Sequence, residues 1–478
     1  MGELNAVALT QELRGVFEAG KTRSAEWRIE QLNALSRMVT ENEKEIAAVG
    51  KEDIGRPVFE SFTAEFVAIL DSAKYAVKNV KKWMAPLKAS TTLPTKKSTA
   101  AIIAEPLGVV LIIAPWNYPF LLSLDPMIGA IAAGNAMVLK PSEVAPASSA
   151  LLARLIPSYL DSSAIRVVEG GVPETTSLLG QAWDKIFYTG SPRVGKIILA
   201  AAAKHLTPCA LELGGKSPCI VDSTGDIGVV AKRIAWGKWT SNDGQACIAP
   251  DYVLAEESVV PKLISKLKEA LKGFYGDDPS TCPDIGRVVN SMHFKRLCGL
   301  LNHESTVEKV VHGGQVNEKE LYIAPTLVLD PPMDSPIMQE EIFGPLLVIV
   351  TVKDVNEAIK IVRAGPKPLA MYIFSTNSHV VEQILDETSA GGVTVNDCVM
   401  HFLQPDLPFG GVGNSGFGAY HGKHSFDEFS HKKGVLYRSL YGGGAVRYPP
   451  YTAKKQKLIR ALMSGSILDL VLIFLGFK

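Results

Sequence analysis

The sequence predicts an α/β protein: a doubly wound parallel sheet, a second α/β unit after it, and a small separate β element. Three observations carry that expectation. From Gly108 to Tyr188 short apolar runs alternate with helical stretches, the pattern of parallel strands joined by crossover helices. The runs are apolar throughout, as strands covered on both faces must be. The same alternation resumes after Glu212 with no Pro- or Ser-rich linker near Ala210–Leu213, so the two halves are expected to be closely joined.

Residues Asn5 to Lys82 keep a helical rhythm, with Trp27, Ile29, Leu32 and Leu35 at apolar positions, and predict a packed helical layer. Ser90–Ala101, polar and rich in β-branched Thr, suits a projecting strand or hairpin. Strands are expected at Val109–Ile113, Ala136–Lys140, Ile165–Glu169 and Lys185–Tyr188, and helices at Leu121–Ala133, Ala145–Leu160 and Thr176–Gly180. In the second half, helices are expected at Gly228–Thr240, Val259–Lys272, Val355–Ala364 and Ser378–Thr388. The strands there are Tyr252–Ala255, Tyr322–Leu329, Leu346–Val352, Leu369–Ser375 and Gly392–Asn396. Ligands of such sheets bind beyond the carboxyl ends of the strands. Lys140, Glu143, Gly170, Gly171, Gly190 and Ser191 all fall there.

With 478 residues the chain is long enough for two or three domains. Lys plus Arg and Asp plus Glu each count 49, so there is no basic field for a nucleic acid. The six cysteines are scattered without metal-ligand spacing, which reads as a reduced, cytoplasmic protein with no metal site. The N-terminus resembles neither a secretory signal nor a transit peptide, and Ala6 spoils the myristoylation pattern despite Gly2.

Two stretches point to a dinucleotide. Phe187–Gly195 reads as a strand, a glycine turn and a helix start, whose backbone N–H groups can hold a phosphate. Alone that signal is weak, since a bare strand-to-helix turn reads the same way. Lys140-Pro-Ser-Glu143, at the end of another strand, can grip the two hydroxyls of an adenosine ribose. A carboxylate there favours NAD over NADP. Cys247 lies in the polar, glycine-containing turn Trp239–Pro250, unlike Cys209 and Cys219, which sit in or beside apolar runs. A lone cysteine is otherwise most simply a small buried hydrophobe. Glu212 is set among apolar neighbours, and burial raises a carboxylate pKa until it can take a proton from water near neutrality. Asn117 ends Ala114-Pro-Trp-Asn with an amide. A nucleophile, a base, an amide donor and a nucleotide-binding half are the parts an aldehyde oxidation needs.

Seven motifs in order resemble the aldehyde dehydrogenase superfamily. They are Ala114-Pro-Trp-Asn117, Lys140-Pro-Ser-Glu143, Tyr188-Thr-Gly-Ser191, Glu212-Leu-Gly-Gly-Lys216, Gly244-Gln-Ala-Cys247, Glu340-Glu-Ile-Phe-Gly-Pro345 and Pro408-Phe-Gly-Gly411. Glu105-Pro-Leu-Gly108, Tyr420-His-Gly-Lys423 and Phe429-Ser-His-Lys432 resemble its class 3 branch, which includes plant and fatty aldehyde enzymes. The resemblance implies a Rossmann-like NAD-binding domain at 1–85 and 105–211, and a catalytic domain at 212–396. It also implies oligomerisation strands at 86–104 and 420–440, a tail at 441–478, and a homodimer.

It further implies that Cys247 is the nucleophile, that Asn117 and the Cys247 N–H hold the oxyanion, and that Glu212 activates the water that hydrolyses the thioester. Lys140 and Glu143 would bind the adenine-side ribose; Gly190, Ser191 and Gly195 the pyrophosphate side; Glu341 and Phe343 the nicotinamide ribose and ring. Trp116, Gly170 and Leu213 complete the cofactor contacts, and Tyr118 and Phe409 line the substrate passage. The implied reaction is oxidation of medium- to long-chain aliphatic aldehydes, including lipid-peroxidation products, with NAD preferred and NADP as alternative. Two other readings are an acylating enzyme that passes the thioester to coenzyme A and a non-catalytic binding protein on the same fold.

The tail sets Lys454-Lys-Gln-Lys-Leu-Ile-Arg460 before Ile467–Phe477. A bilayer span needs roughly 20 apolar residues. This run is shorter and carries Asp469, so a span is not expected. A peripheral membrane contact is one reading; packing over a partner subunit or near the substrate entrance is the preferred one.

Overall fold

The computed structural model describes residues 4–441 and 444–477. The chain forms two compact units, one of residues 1–80 with 106–429 and one of 81–105 with 430–478.

The larger unit holds both expected sheets. In the first, β1 (Val109–Ile113), β2 (Ala136–Lys140), β3 (Ile165–Val167), β4 (Lys185–Gly190) and β5 (Cys209–Leu213) run parallel. The second contains β6 (Pro218–Val221), β7 (Tyr252–Glu256), β8 (Val310–His312), β9 (Thr326–Leu329), β10 (Leu346–Val352), β11 (Ala370–Phe374) and β12 (Gly392–Val395). A two-residue strand, β13 (Gly416–Phe417), returns to pair antiparallel with β5, setting Gly416 opposite Glu212.

The order in the first sheet is β13-β5-β4-β1-β2-β3. From β1 the chain winds outward through β2 and β3, then returns to the other side through β4 and β5. The connections therefore diverge between β1 and β4, and the crevice at such a switch point is where this class of sheet binds ligands. The helix Leu121–Ala133 behind it is buried at every residue and stops at Gly134 in the left-handed conformation (φ 88°). Ser123 and Asp125 are its polar residues, and the rest are apolar, glycine or proline, as a helix enclosed in a core requires. The second sheet, ordered β8-β9-β10-β7-β6-β11-β12, packs Ile220, Leu254, Val348 and Ile373 against Phe294, Leu297 and Ile337.

Several elements differ from expectation. Tyr322–Leu329 is two strands, because Pro325 has no N–H to donate. Tyr322–Ile323 pairs with Val316–Asn317, while Thr326–Leu329 joins the second sheet. The strand Pro218–Val221 and the helix Ser291–Leu301 were not anticipated. In the N-terminal layer, Phe62–Val67 is one π-helical stretch between α-helical segments.

In the smaller unit, Leu87–Ala89 and Thr99–Pro106 form the expected hairpin, longer than foreseen, and Ser430–Tyr437 completes a three-stranded sheet. The tail folds as two helices, Ala453–Ser464 and Ile467–Leu475. Ile473 is buried, but Leu468, Phe474 and Phe477 are 70%, 79% and 77% exposed. Among the described residues no helix is long and apolar enough to cross a membrane.

Candidate active site

The turn carrying Cys247 leaves the helix Ile227–Trp239, whose start is capped by the Asp226 carboxylate. It makes a turn in which Asn242 and Asp243 both hold φ 53°. Non-glycine residues in that region cost free energy and cluster at functional sites. Gly244 follows at φ 77°, and a Cβ there would lie 2.2 Å from the Gly344 carbonyl oxygen, so only glycine fits. The turn is anchored from within. The Gln245 amide donates to the carbonyls of Asn242 (3.0 Å) and Arg287 (2.9 Å), and its oxygen accepts from Val289 N–H (3.0 Å). The buried Tyr372 hydroxyl donates to the Ile248 carbonyl. Cys247 stays partly accessible while its neighbours are buried. Burial, with the Glu212 and Glu341 carboxylates, pushes its thiol well above the usual range.

Glu212 lies on β5, beside Thr189 on β4. Its residue is 3% exposed, and neither carboxylate oxygen has a hydrogen-bond partner. Burial pushes its pKa from 4.5 to about 7, with the Cys247 thiol and Thr189 hydroxyl acting weakly the other way. Asn117 follows β1; its side-chain amide donates to the Gln245 carbonyl at 3.0 Å, two residues ahead of Cys247. The sheet and the turn thus bring together three residues separated by 130 positions of chain.

The residues foreseen for a dinucleotide gather at the carboxyl ends of the first sheet. Lys140, 3% exposed, pairs with Glu143 at 2.6 Å, and that ammonium holds the carboxyl below its usual value against the effect of partial burial. Gly170 and Gly171 follow β3, Gly190 ends β4, and Ser191 caps the helix Pro192–Ala202 by accepting from Val194 N–H (3.4 Å). Gly195 faces the buried Leu213. The Glu341 carboxylate accepts from Gly215 N–H at 3.0 Å, and burial raises its pKa to about 8. Phe343 holds φ 49° and sets its ring edge-on to Trp116 at 5.5 Å. Helix-start amides, an ion pair beside a strand end, and the unpartnered polar atoms of Thr189 and Glu212 fit a dinucleotide lying across the switch point.

Tyr118 lies under the Arg56 guanidinium, 4.3 Å from its ring centre, within electrostatic range of Cys247. Phe409 is 3% exposed, and its ring stacks on His421 (5.1 Å) and meets Tyr420 edge-on (5.5 Å). Burial, with the nearby Glu212 and Asp125 carboxylates, pushes the Tyr420 hydroxyl well above its usual range. Two surface cavities of about 570 and 830 Å³ lie elsewhere; neither is lined by Cys247, Glu212 or Asn117. Among the described residues no acidic, His or Cys cluster could hold a metal ion.

Sequence reasoning missed the supports of these residues. Lys216 bridges Asp251 to the carbonyls of Ile337 and Glu340 (both 2.9 Å), and Asp251 accepts from Ile342 N–H at 2.9 Å. Arg296 donates to Ile342 O at 2.6 Å, so the Glu340–Ile342 segment is held from two sides. Arg56, Glu60 and Glu65 lie behind Asn117. Only the motif position of Lys216 gave any signal; Arg56 sits in a stretch read merely as helical.

The profile of the Aldehyde dehydrogenase family matches residues 6–435. The chain is 54% identical to Aldehyde dehydrogenase family 3 member H1 of Arabidopsis thaliana, covering 99% of this chain and 98% of that one. It is 50% identical to the rat protein named Aldehyde dehydrogenase, dimeric NADP-preferring, over 92% of this chain and 97% of that one. Among solved structures it resembles the substrate-bound state of Staphylococcus aureus AldH, with a TM-score of 0.93, 43% identity, and coverage of 96% and 100%.

Proposed function

The chain belongs to the aldehyde dehydrogenase family and oxidises aldehydes with NAD(P), and on that premise we propose that Cys247, Glu212 and Asn117 carry the reaction. The observation that supports this most directly is the juxtaposition of a partly accessible thiol with a buried carboxylate of pKa about 7, beside the Thr189 hydroxyl.

The raised thiol needs a base before it can attack. Glu212, facing it with a pKa near neutrality, takes that proton. Cys247 Sγ adds to the aldehyde carbonyl, and the developing oxyanion is held by the Asn117 amide and the Cys247 N–H. A dinucleotide held at this site would supply the hydride acceptor for the oxidation. Lys140 and Glu143 would hold its adenosine ribose, the amides after Ser191 its phosphates, and Glu341 with Phe343 its nicotinamide end. Once that first proton has passed to solvent, Glu212 removes a proton from the water that attacks the thioester; the adduct collapses to the acid, and the departing thiolate takes the proton back from Glu212 to regenerate the free thiol. This second use weighs against transfer to coenzyme A, for which a water-activating base is wasteful.

The proposed division is a dinucleotide domain at 1–85 and 105–211, a catalytic domain at 212–396, bridging strands within 86–104 and 420–440, and a tail at 441–478; of the second bridging stretch only Ser430–Tyr437 is strand, since Gly422–Glu428 is a helix of the larger unit. Ser430–Tyr437 offers an exposed strand, with Leu436 and Tyr437 about half exposed, to a second copy of the chain. Medium- to long-chain aldehydes, NAD over NADP, and a cytoplasmic site complete the reading. The apolar tail supports the first, Glu143 the second, and six free cysteines the third. Tyr118 and the rings around Phe409 border the aldehyde in this scheme. The test is Cys247→Ala: NADH formation from hexanal and nonanal should vanish while NAD still quenches protein fluorescence. Retained oxidation overturns the assignment.

A further inference from the structure

We infer that Arg56 is a positioning residue of the oxyanion site, aligning the Asn117 amide and the Cys247 turn from a buried position behind them. This rests on the reading of Asn117 given above. The Arg56 side chain is fully buried, and one guanidinium nitrogen donates to the Asn117 carbonyl oxygen. The other terminal nitrogen pairs with Glu65 Oε1, while the plane of the group lies over the Tyr118 ring. Glu65 Oε2 in turn accepts from Phe120 N–H (2.7 Å) and Leu121 N–H (2.9 Å), at the start of the helix Leu121–Ala133. A carboxylate is favoured there by the helix dipole. The Arg56–Glu65 pair therefore clamps residues 117–121 at both ends, by a carbonyl and by two N–H groups.

The same cation reaches the second chemical loop. Glu60, 3.8 Å from Arg56 Nε, accepts from Asn242 N–H in the strained turn. The Asn242 amide donates to the same Asn117 carbonyl at 3.1 Å. That oxygen receives two donors, one from Arg56 and one from the turn that bears Cys247. The peptide plane of Asn117, and hence the direction of its side chain, is fixed from both. Lysine does not reproduce this: a planar fork meets a carboxylate and a carbonyl at once, whereas an ammonium is a point charge.

A double-mutant comparison tests this, using Arg56→Gln, Arg56→Lys, Asn117→Ala and the Arg56→Gln/Asn117→Ala double variant. For each, kcat and KM for hexanal, NAD affinity and thermal midpoint are measured. Arg56→Gln should lower kcat roughly 10- to 100-fold, the scale of a misplacement of about 1 Å. NAD affinity should stay within about twofold, and Arg56→Lys should recover part of the loss. On the Asn117→Ala background, Arg56→Gln should cost less than about twofold more, because residues acting as one unit are not additive. An equal factor on both backgrounds, or an unchanged kcat in Arg56→Gln, overturns the positioning role. Full turnover in Asn117→Ala overturns the oxyanion reading beneath it, a distinct outcome. Should Arg56→Gln not fold, Arg56→Lys makes the same comparison alone and with Asn117→Ala, and additivity there overturns the role equally.

Discussion

Replacing Glu212 by glutamine should slow the enzyme and stabilise it at the same time. The carboxyl is 3% exposed, and burial moves its pKa from 4.5 to about 7. At 1.36 kcal/mol per unit, the charged form costs on the order of 3 kcal/mol in the folded chain relative to the unfolded one. The sign follows from proton counts. Between pH 4.5 and 7 the folded state binds more protons than the unfolded state, so stability falls as pH rises. The cost is absent below pH 4.5 and fully present above about 7. Glu212→Gln keeps the shape and removes the charge. It should exceed the parent by less than about 1 kcal/mol at pH 5 and by up to about 3 kcal/mol at pH 8. Turnover should fall about 100- to 10,000-fold, the usual worth of a positioned base. In the parent, the hydrolytic step should rise with pH, reach half its limit near pH 7 and level off above it. Urea unfolding from pH 5 to 8, with stopped-flow NADH production, reads both effects. Equal stability at pH 8, or a plateau already reached at pH 5, would refute the burial argument.

Three further outcomes are expected. Glu143→Gln removes the carboxylate paired with Lys140, so the ratio of kcat/KM for NADP to that for NAD should rise; an unmoved ratio defeats the ribose assignment. In Gly214→Ala the new Cβ would sit 2.3 Å from the Glu341 carboxylate and displace it from Gly215 N–H, so KM for NAD should rise and kcat fall; wild-type values would show that this contact does not matter to the nicotinamide end. Deleting residues after Ser466 removes the apolar helix; if the tail packs on protein, both forms partition alike on membrane fractionation and only the KM for nonanal moves, whereas loss of a membrane-bound fraction would favour the peripheral contact.

The sequence by itself determined the alternation of buried strands and helices, because a strand covered on both faces is a short apolar run and the stretches between such runs are long enough for crossover helices. Val109–Ile113 and Ala136–Lys140 were readable to the residue for that reason. The residues proposed for the chemistry stood out because their motifs are local: Cys247 stands in a polar turn, and Glu212 among apolar neighbours. Pro325 shows the limit of a run read only by its hydropathy, since one missing N–H divided it between two sheets. Only the tertiary structure decided what lies behind the site. Arg56 and Asn117 are 61 positions apart, and Tyr372 and Ile248 are 124 apart, so no periodicity relates them. They meet because burying a guanidinium or a phenol demands partners, and only the folded chain can say which carbonyls are within reach.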